Sequence, residues 1–165
     1  MKKFIVFLIV GLLASSAAWG ATINVTATVA EILVVAVDSN TWPITINNDG
    51  AEVDNDSQGV LTVTSSKKNY TVTFISANGG ALSNGTETIP YKVKVVCTDT
   101  SWTGVATNDL SGYTTLTTAG VTIIFNKRTP VLGKTFDIGF YTPAYTEYYV
   151  DGTYTDTITI SITSP

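Results

Sequence analysis

From residue 22 onward apolar and polar positions alternate, and nowhere does a helical period persist for ten residues. Ile23, Val25, Ala27 and Val29 alternate with Thr22, Asn24, Thr26 and Thr28. Residues 32 to 37, ILVVAV, are apolar throughout, which predicts a strand buried on both faces between two layers. Residues 60–64 and 70–74 alternate and flank the polar turn Ser65 to Asn69, which predicts a hairpin. Further strands are expected at 91–97, 121–125, 136–141 and 154–163. Asn48-Asp49-Gly50, Asn78-Gly79-Gly80, Asn84-Gly85, Asp151-Gly152 and isolated prolines punctuate them. Seven to nine short strands with turn signals between them predict an all-β sandwich. The Thr-rich stretch from Thr98 to Thr118 is the most weakly patterned, and variable, exposed structure is expected there.

The first twenty residues break this pattern. Lys2 and Lys3 precede an apolar run from Phe4 to Ala14, and Ala18-Trp19-Gly20 supplies small residues at a cleavage position. This predicts a signal peptide over residues 1–20 and an exported chain, with one domain over 21–165. The run is too short to span a bilayer, and no later stretch is apolar for the ~20 residues a transmembrane helix needs. Cys97 is the single cysteine, so no internal disulfide is possible. It shares the phase of Tyr91, Val93 and Val95, which predicts a small buried side chain rather than an intermolecular bridge.

Composition narrows the chemistry. Only 13% of the 165 residues are charged, against ~25% in ordinary domains. There is no histidine, which removes His-based triads and zinc sites built on His and Cys. Loss of the two leader lysines leaves seven basic and thirteen acidic side chains, a balance opposed to nucleic-acid binding. The 29 threonines suit strands with one wetted face. Asp49, Glu52, Asp54 and Asp56 form a weak Ca²⁺ candidate, because close-set oxygen ligands are what that ion requires. Their spacing departs from the known calcium loop, and a solvated acidic loop is the favoured reading. Trp42, Trp102, Tyr113, Tyr145, Tyr148 and Tyr149 offer a stacking surface for sugars, with Tyr145 and Tyr148 as candidate glycan contacts, although core packing suits most of these rings better. No catalytic constellation, cofactor motif or resident metal is read from the chain, so the expectation is a protein that is not an enzyme.

The segment that follows the leader is the most informative. A terminal alternating strand either pairs at home, the more common case, or fills an open sheet edge on a neighbour, where main-chain hydrogen bonds give affinity and alternate side chains fill pockets. INVTATVAEILVVAV at residues 23–37 resembles the opening strand of bacterial fimbrial subunits, including spore coat protein U domains and alternate-chaperone fimbriae. Gly152, Tyr154, Asp156 and Thr157, within GTYTDTITISI, resemble the closing strand motif of that family. Tyr70 to Ala77, Asn84-Gly85 and Ile89-Pro90-Tyr91 resemble its mid-domain run. Spore coat U domains carry a cysteine near the end of the first strand, whereas residues 30–38 here are AEILVVAVD, so the chain is closer to the alternate-chaperone fimbriae. The resemblance implies an incomplete immunoglobulin-like Greek-key sandwich, completed by strand exchange, with residues 22–29 as donor and Ile23, Val25, Ala27 and Val29 as its anchors. It further implies self-assembly with like subunits, a periplasmic chaperone and an outer-membrane usher, with transit through the periplasm to the cell surface. Asp156 shares the phase of Tyr154 and Ile158, an odd place for a carboxylate, unless it sits at the strand's start and accepts turn hydrogen bonds. The alternatives are a monomeric secreted module that binds glycan or a surface receptor, and, more distantly, an exported hydrolase.

Overall fold

A computed structural model describes residues 24–165; the expected signal peptide and Ile23 lie outside the described residues. The chain is all-β. The described residues form ten strands: β1 (Leu33–Val37), β2 (Val53–Ser65), β3 (Tyr70–Ser76), β4 (Ala81–Ser83), β5 (Thr88–Pro90), β6 (Lys92–Cys97), β7 (Val105–Asn108), β8 (Val121–Phe125), β9 (Lys134–Thr142) and β10 (Ile158–Thr163). One four-stranded sheet has the order β1-β2-β9-β6, a second the order β10-β3-β8-β7, and β4 and β5 pair separately; all pairings are antiparallel.

Alternation builds the core. Leu61 and Val63 of β2, Val93 and Val95 of β6, and Phe136 and Ile138 of β9 point inward from the first sheet. Tyr70, Val72 and Phe74 of β3 meet them from the second, with Ile123 and Phe125 of β8. Tyr70 stacks on Phe125 with ring centroids 4.6 Å apart, and Phe125 meets Phe136 edge-on at 5.7 Å. The intervening threonines face outward, partly exposed, as their polar phase requires.

Four expectations are corrected. The segments around Ser65–Asn69 do not form a hairpin: β2 and β3 belong to different sheets, and the turn crosses the core. The Ser65 hydroxyl fixes that crossing by accepting from Lys67 N at 3.0 Å. The ILVVAV strand is not buried on both faces, since β1 is an edge strand with no layer over its outer side, and Val34 is 52% exposed. The Thr98–Thr118 stretch is not merely an exposed loop, because it holds β7 and the fully buried Leu110 and Leu116. Residues 24–30, finally, form no strand at home and are exposed throughout, against the expectation that a terminal strand pairs within its own domain. Cys97 keeps its expected phase: it is half-buried against the core as a free thiol, with Sγ donating to Asp99 O at 3.4 Å.

Candidate functional site

The candidate site is the side of the sandwich where β1 and β10 run as the free edges of the two sheets. Both strands present one half-buried face. On β10 the burial alternates, with Ile158, Ile160 and Ile162 turned toward the core and Thr159, Ser161 and Thr163 to solvent. On β1, Leu33 and Val35 pack on the core while Val34 faces water. Between the edges lies a groove of about 440 Å³ whose apolar lining includes Val37, Trp42, Ile44, Leu82, Ile158 and Ile160.

Trp42 is the groove's partial plug. Its indole lies on the backbone of Gly59, where an added Cβ would meet Nε1 at 2.9 Å. Glycine is therefore needed at that position in β2. The indole Nε1 is buried and has no hydrogen-bond partner among the described residues. An unmade hydrogen bond on a buried donor costs about 1–3 kcal/mol, so this plug is seated at some expense.

One end of the groove is pinned by Asp156. Its Oδ2 accepts from Ser76 Oγ and from Tyr91 Oη, each at 2.5 Å, and its Oδ1 accepts from Asn78 N at 3.0 Å and Thr157 N at 2.7 Å. The Ser76 hydroxyl in turn accepts from Gly80 N at 2.7 Å. The carboxylate precedes β10 and ties it to β3, to the turn after β3 and to Tyr91 before β6, so the turn hydrogen bonds expected of Asp156 are present. Burial holds the Tyr91 hydroxyl above the usual phenol range, and its bond to Asp156 adds to that. The other motif residues lock the approach to β10: Tyr154 Oη donates to Glu87 Oε2 at 3.0 Å, and Ala77 N donates to Thr157 O at 3.0 Å. Gly152 stands open, with nothing near its Cα side.

The expected donor residues Val25, Ala27 and Val29 lie free of the sandwich; Val25 and Val29 are each 87% exposed. The chain enters the fold beside the β2–β3 crossing, where Ser66 N donates to Ile32 O at 2.8 Å and Glu31 pairs with Lys67 at 3.0 Å.

The other sequence candidates are dispersed. Asp49, Glu52, Asp54 and Asp56 do not all converge: Asp49 caps a turn at Ala51 N, Glu52 accepts from Tyr141 Oη at 2.9 Å, and Asp54 and Asp56 alone meet, both accepting from Tyr113 Oη. Asp56 sits in the bulge that interrupts β2–β9 pairing between Asn55 and Gly59, and it accepts from Lys94 Nζ. The lysine and the Tyr113 hydroxyl hold its carboxyl below the usual range. Among the described residues no group of acidic and cysteine side chains has metal-binding geometry. Tyr145 turns against Tyr149, with ring centroids 4.6 Å apart and its hydroxyl buried, while Tyr148 points outward at 82% exposure. The two tyrosines therefore share no flat platform for a sugar.

Sequence reasoning missed Ile44 and Leu82 as groove residues and took Trp42 only as a stacking ring. The available signal was Trp42-Pro43-Ile44-Thr45-Ile46, an apolar alternation outside every expected strand. No helix among the described residues is long and apolar enough to cross a membrane. The chain matches no family model and no curated protein.

Proposed function

We propose that the protein is an exported structural subunit of a surface appendage or coat, and that the apolar N-terminal segment of one copy lies along the open edge of the next. One observation carries this reading. A single chain holds an alternating apolar segment with no partner and, between β1 and β10, a groove lined by half-buried isoleucines. Strand addition satisfies both: the edge's unpaired main-chain groups gain hydrogen bonds and the alternate side chains gain pockets. Such a contact is head-to-tail and does not close on itself, so it propagates a filament. The resemblance of residues 23–37 and 152–162 to fimbrial subunits supports the same reading. In that frame the sandwich is immunoglobulin-like, a periplasmic chaperone covers the edge in transit, an outer-membrane usher releases the subunit to the cell surface, and no reaction is catalysed.

The test compares residues 21–165 with a chain lacking 21–31. Ladders of heat-stable polymer are expected from the first and only monomer from the second. A longer chain that stays monomeric at every concentration overturns the proposal.

A further inference from the structure

We infer that the two ends of the sandwich are complementary docking faces for two copies of this chain. In this contact the Val131–Leu132 turn of one copy sits in the cleft beside Tyr149 and Tyr154 of the next. The inference rests on the assembly reading above and adds a second contact to the one made by the N-terminal segment.

The turn is the first half of the argument. Val131 and Leu132 are 95% and 93% exposed, yet they do not hang on a loose loop. Gly133 N donates to Pro130 O at 2.9 Å, Thr129 N donates to Ser65 O at 3.1 Å, and Ser65 N donates to Thr129 Oγ1 at 2.9 Å. Gly133 has φ +80°, and a Cβ there would meet Thr64 Oγ1 at 2.6 Å, so the turn is pressed onto the end of β2. Two adjacent large apolar side chains held out on a fixed tip contribute nothing to the fold and mark a contact surface. Lys127 and Arg128 lead into the tip and Lys68 lies in the Ser65–Asn69 turn to which Thr129 is bonded; none of the three has an ion-pair partner among the described residues, while Lys67 and Lys134 there are paired.

The opposite end supplies the complement. β9 runs from Lys134 beside the turn to Thr142, a span of about 26 Å at ~3.3 Å per residue. Beyond it, Tyr145 N donates to Gly50 O, and a cleft of about 480 Å³ opens. Ile44, Ile46, Leu82 and Val150 give it apolar walls, and Asp151 lines its rim. Glu87 accepts from Val150 N at 3.0 Å, and Asp49, Glu52 and Glu147 lie on the neighbouring loops; none of these carboxylates has an ion-pair partner among the described residues. An apolar tip with a basic collar thus faces, on the next copy, a cleft of mixed lining, in which Ile44, Ile46, Leu82 and Val150 are set among polar groups, with an acidic rim. Opposite signs at the two ends attract head to tail and repel head to head, which selects the polarity a filament needs. Two further facts place both contacts on one neighbour. The N-terminal segment leaves the fold at the basic end, beside Lys67. Ile44, Leu82 and Tyr154 line both the cleft and the β1–β10 groove, so the two are continuous.

The test uses chains of residues 21–165 carrying Cys97→Ser, with Leu132→Cys in one population and Thr153→Cys in another. Mild oxidation of the mixture is expected to give 132–153 dimers, and neither population alone should give them. Val131→Asp with Leu132→Asp should lower polymer yield about tenfold, and raising salt from about 0.05 M to about 0.5 M should lower it in the same direction. Polymer that forms normally without the 132–153 bridge overturns this inference and leaves strand exchange standing. Absence of polymer in the parent removes both. Binding of the tip to phosphatidylserine vesicles, lost in the double Asp variant and unaccompanied by the bridge, assigns the turn to a lipid surface and overturns the inference as well.

Discussion

The two long sides of the sandwich solve the same problem in opposite ways. At the β6–β7 side the free edge of β6 is covered by its own chain. Val93 and Thr114 exchange two main-chain hydrogen bonds of 2.9 Å, Val95 N donates to Leu110 O at 2.7 Å, and Asn108 Nδ2 donates to Val95 O at 2.8 Å. Leu110 and Leu116 fill the space beneath, fully buried. At the β1–β10 side no strand among the described residues pairs with either outer edge; Trp42 plugs part of the gap and its indole N–H has no partner among those residues. Exposed strand edges promote association, and natural domains usually blunt them with charge, proline or a covering loop. Here one edge is covered, whereas the other displays only isoleucine, threonine and serine on β10. The contrast teaches that an open edge is not this chain's general condition, since it covers the edge of β6 with its own segment from Asn108 to Thr114.

Core truncation is expected to separate the sides most strongly. Leu110→Ala leaves a cavity under the covered edge and should cost ~2–5 kcal/mol in chemical denaturation. Ile160→Ala, on the half-exposed face of β10, should cost the isolated subunit about 1 kcal/mol while abolishing polymer formation. Equal losses at the two positions would contradict the view that one edge is finished and the other waiting. Next in size is the Asp156 junction. Asp156→Ala orphans the Ser76 and Tyr91 hydroxyls and frees the start of β10, for about 3 kcal/mol, and Tyr91→Phe should cost ~1 kcal/mol because the carboxylate keeps its other three donors. Hydrogen exchange should show the Asp156 variant opening at β10 before β6.

A third expectation acts on the open side alone. A peptide of residues 22–31 added to a chain that lacks them should raise its stability by ~2.7 kcal/mol at a hundredfold excess over its dissociation constant. A peptide with Val25 and Val29 replaced by Asp should give no such gain, and thermal denaturation reads both. Stabilisation by the charged peptide would mean that the effect is not strand addition.

How far the two sides were legible in the sequence follows from what each depends on. Alternation is local, so β8 at Val121–Phe125 and the inward phases of Leu61, Val63, Tyr70 and Val72 were readable residue by residue. Sheet membership is not local. A short polar turn such as Ser65–Asn69 reads the same whether the next strand pairs with the last one or crosses to the facing sheet, and here it crosses. The covering loop was hidden for another reason: β7 pairs by main-chain bonds, with an irregularity between Val105 and Thr107, and needs no apolar alternation. Asp156 looked misplaced because its partners Ser76 and Tyr91 lie 80 and 65 positions away. The open groove was partly legible as the isoleucine phase of 158–162, but Leu82 enters it from the three-residue strand β4, too short to read as alternation, and Ile44 from an apolar alternation that pairs with no strand.

The smallest expected effect concerns acid, and it falls on the covered side. Asp99, just past β6, is held down to about 2 by Lys134 and, after it, by Ser101; Asp56 is held below its usual range by Lys94 of β6 and by Tyr113. A carboxyl whose pKa is lower in the folded chain contributes stability that is complete above its ordinary value near 3.8 and is lost as pH falls through the folded value. For Asp99 that window lies between about pH 4 and about pH 2. Both carboxylates are exposed, so the loss should be slight. Asp99→Asn should leave the subunit marginally weaker at neutral pH and should flatten its decline over that window, so that variant and parent converge as pH approaches about 2. Denaturation midpoints measured across the window read this directly. A parent whose advantage over Asp99→Asn persists at the acid limit would show that the Lys134 pair is not what fastens the end of β6.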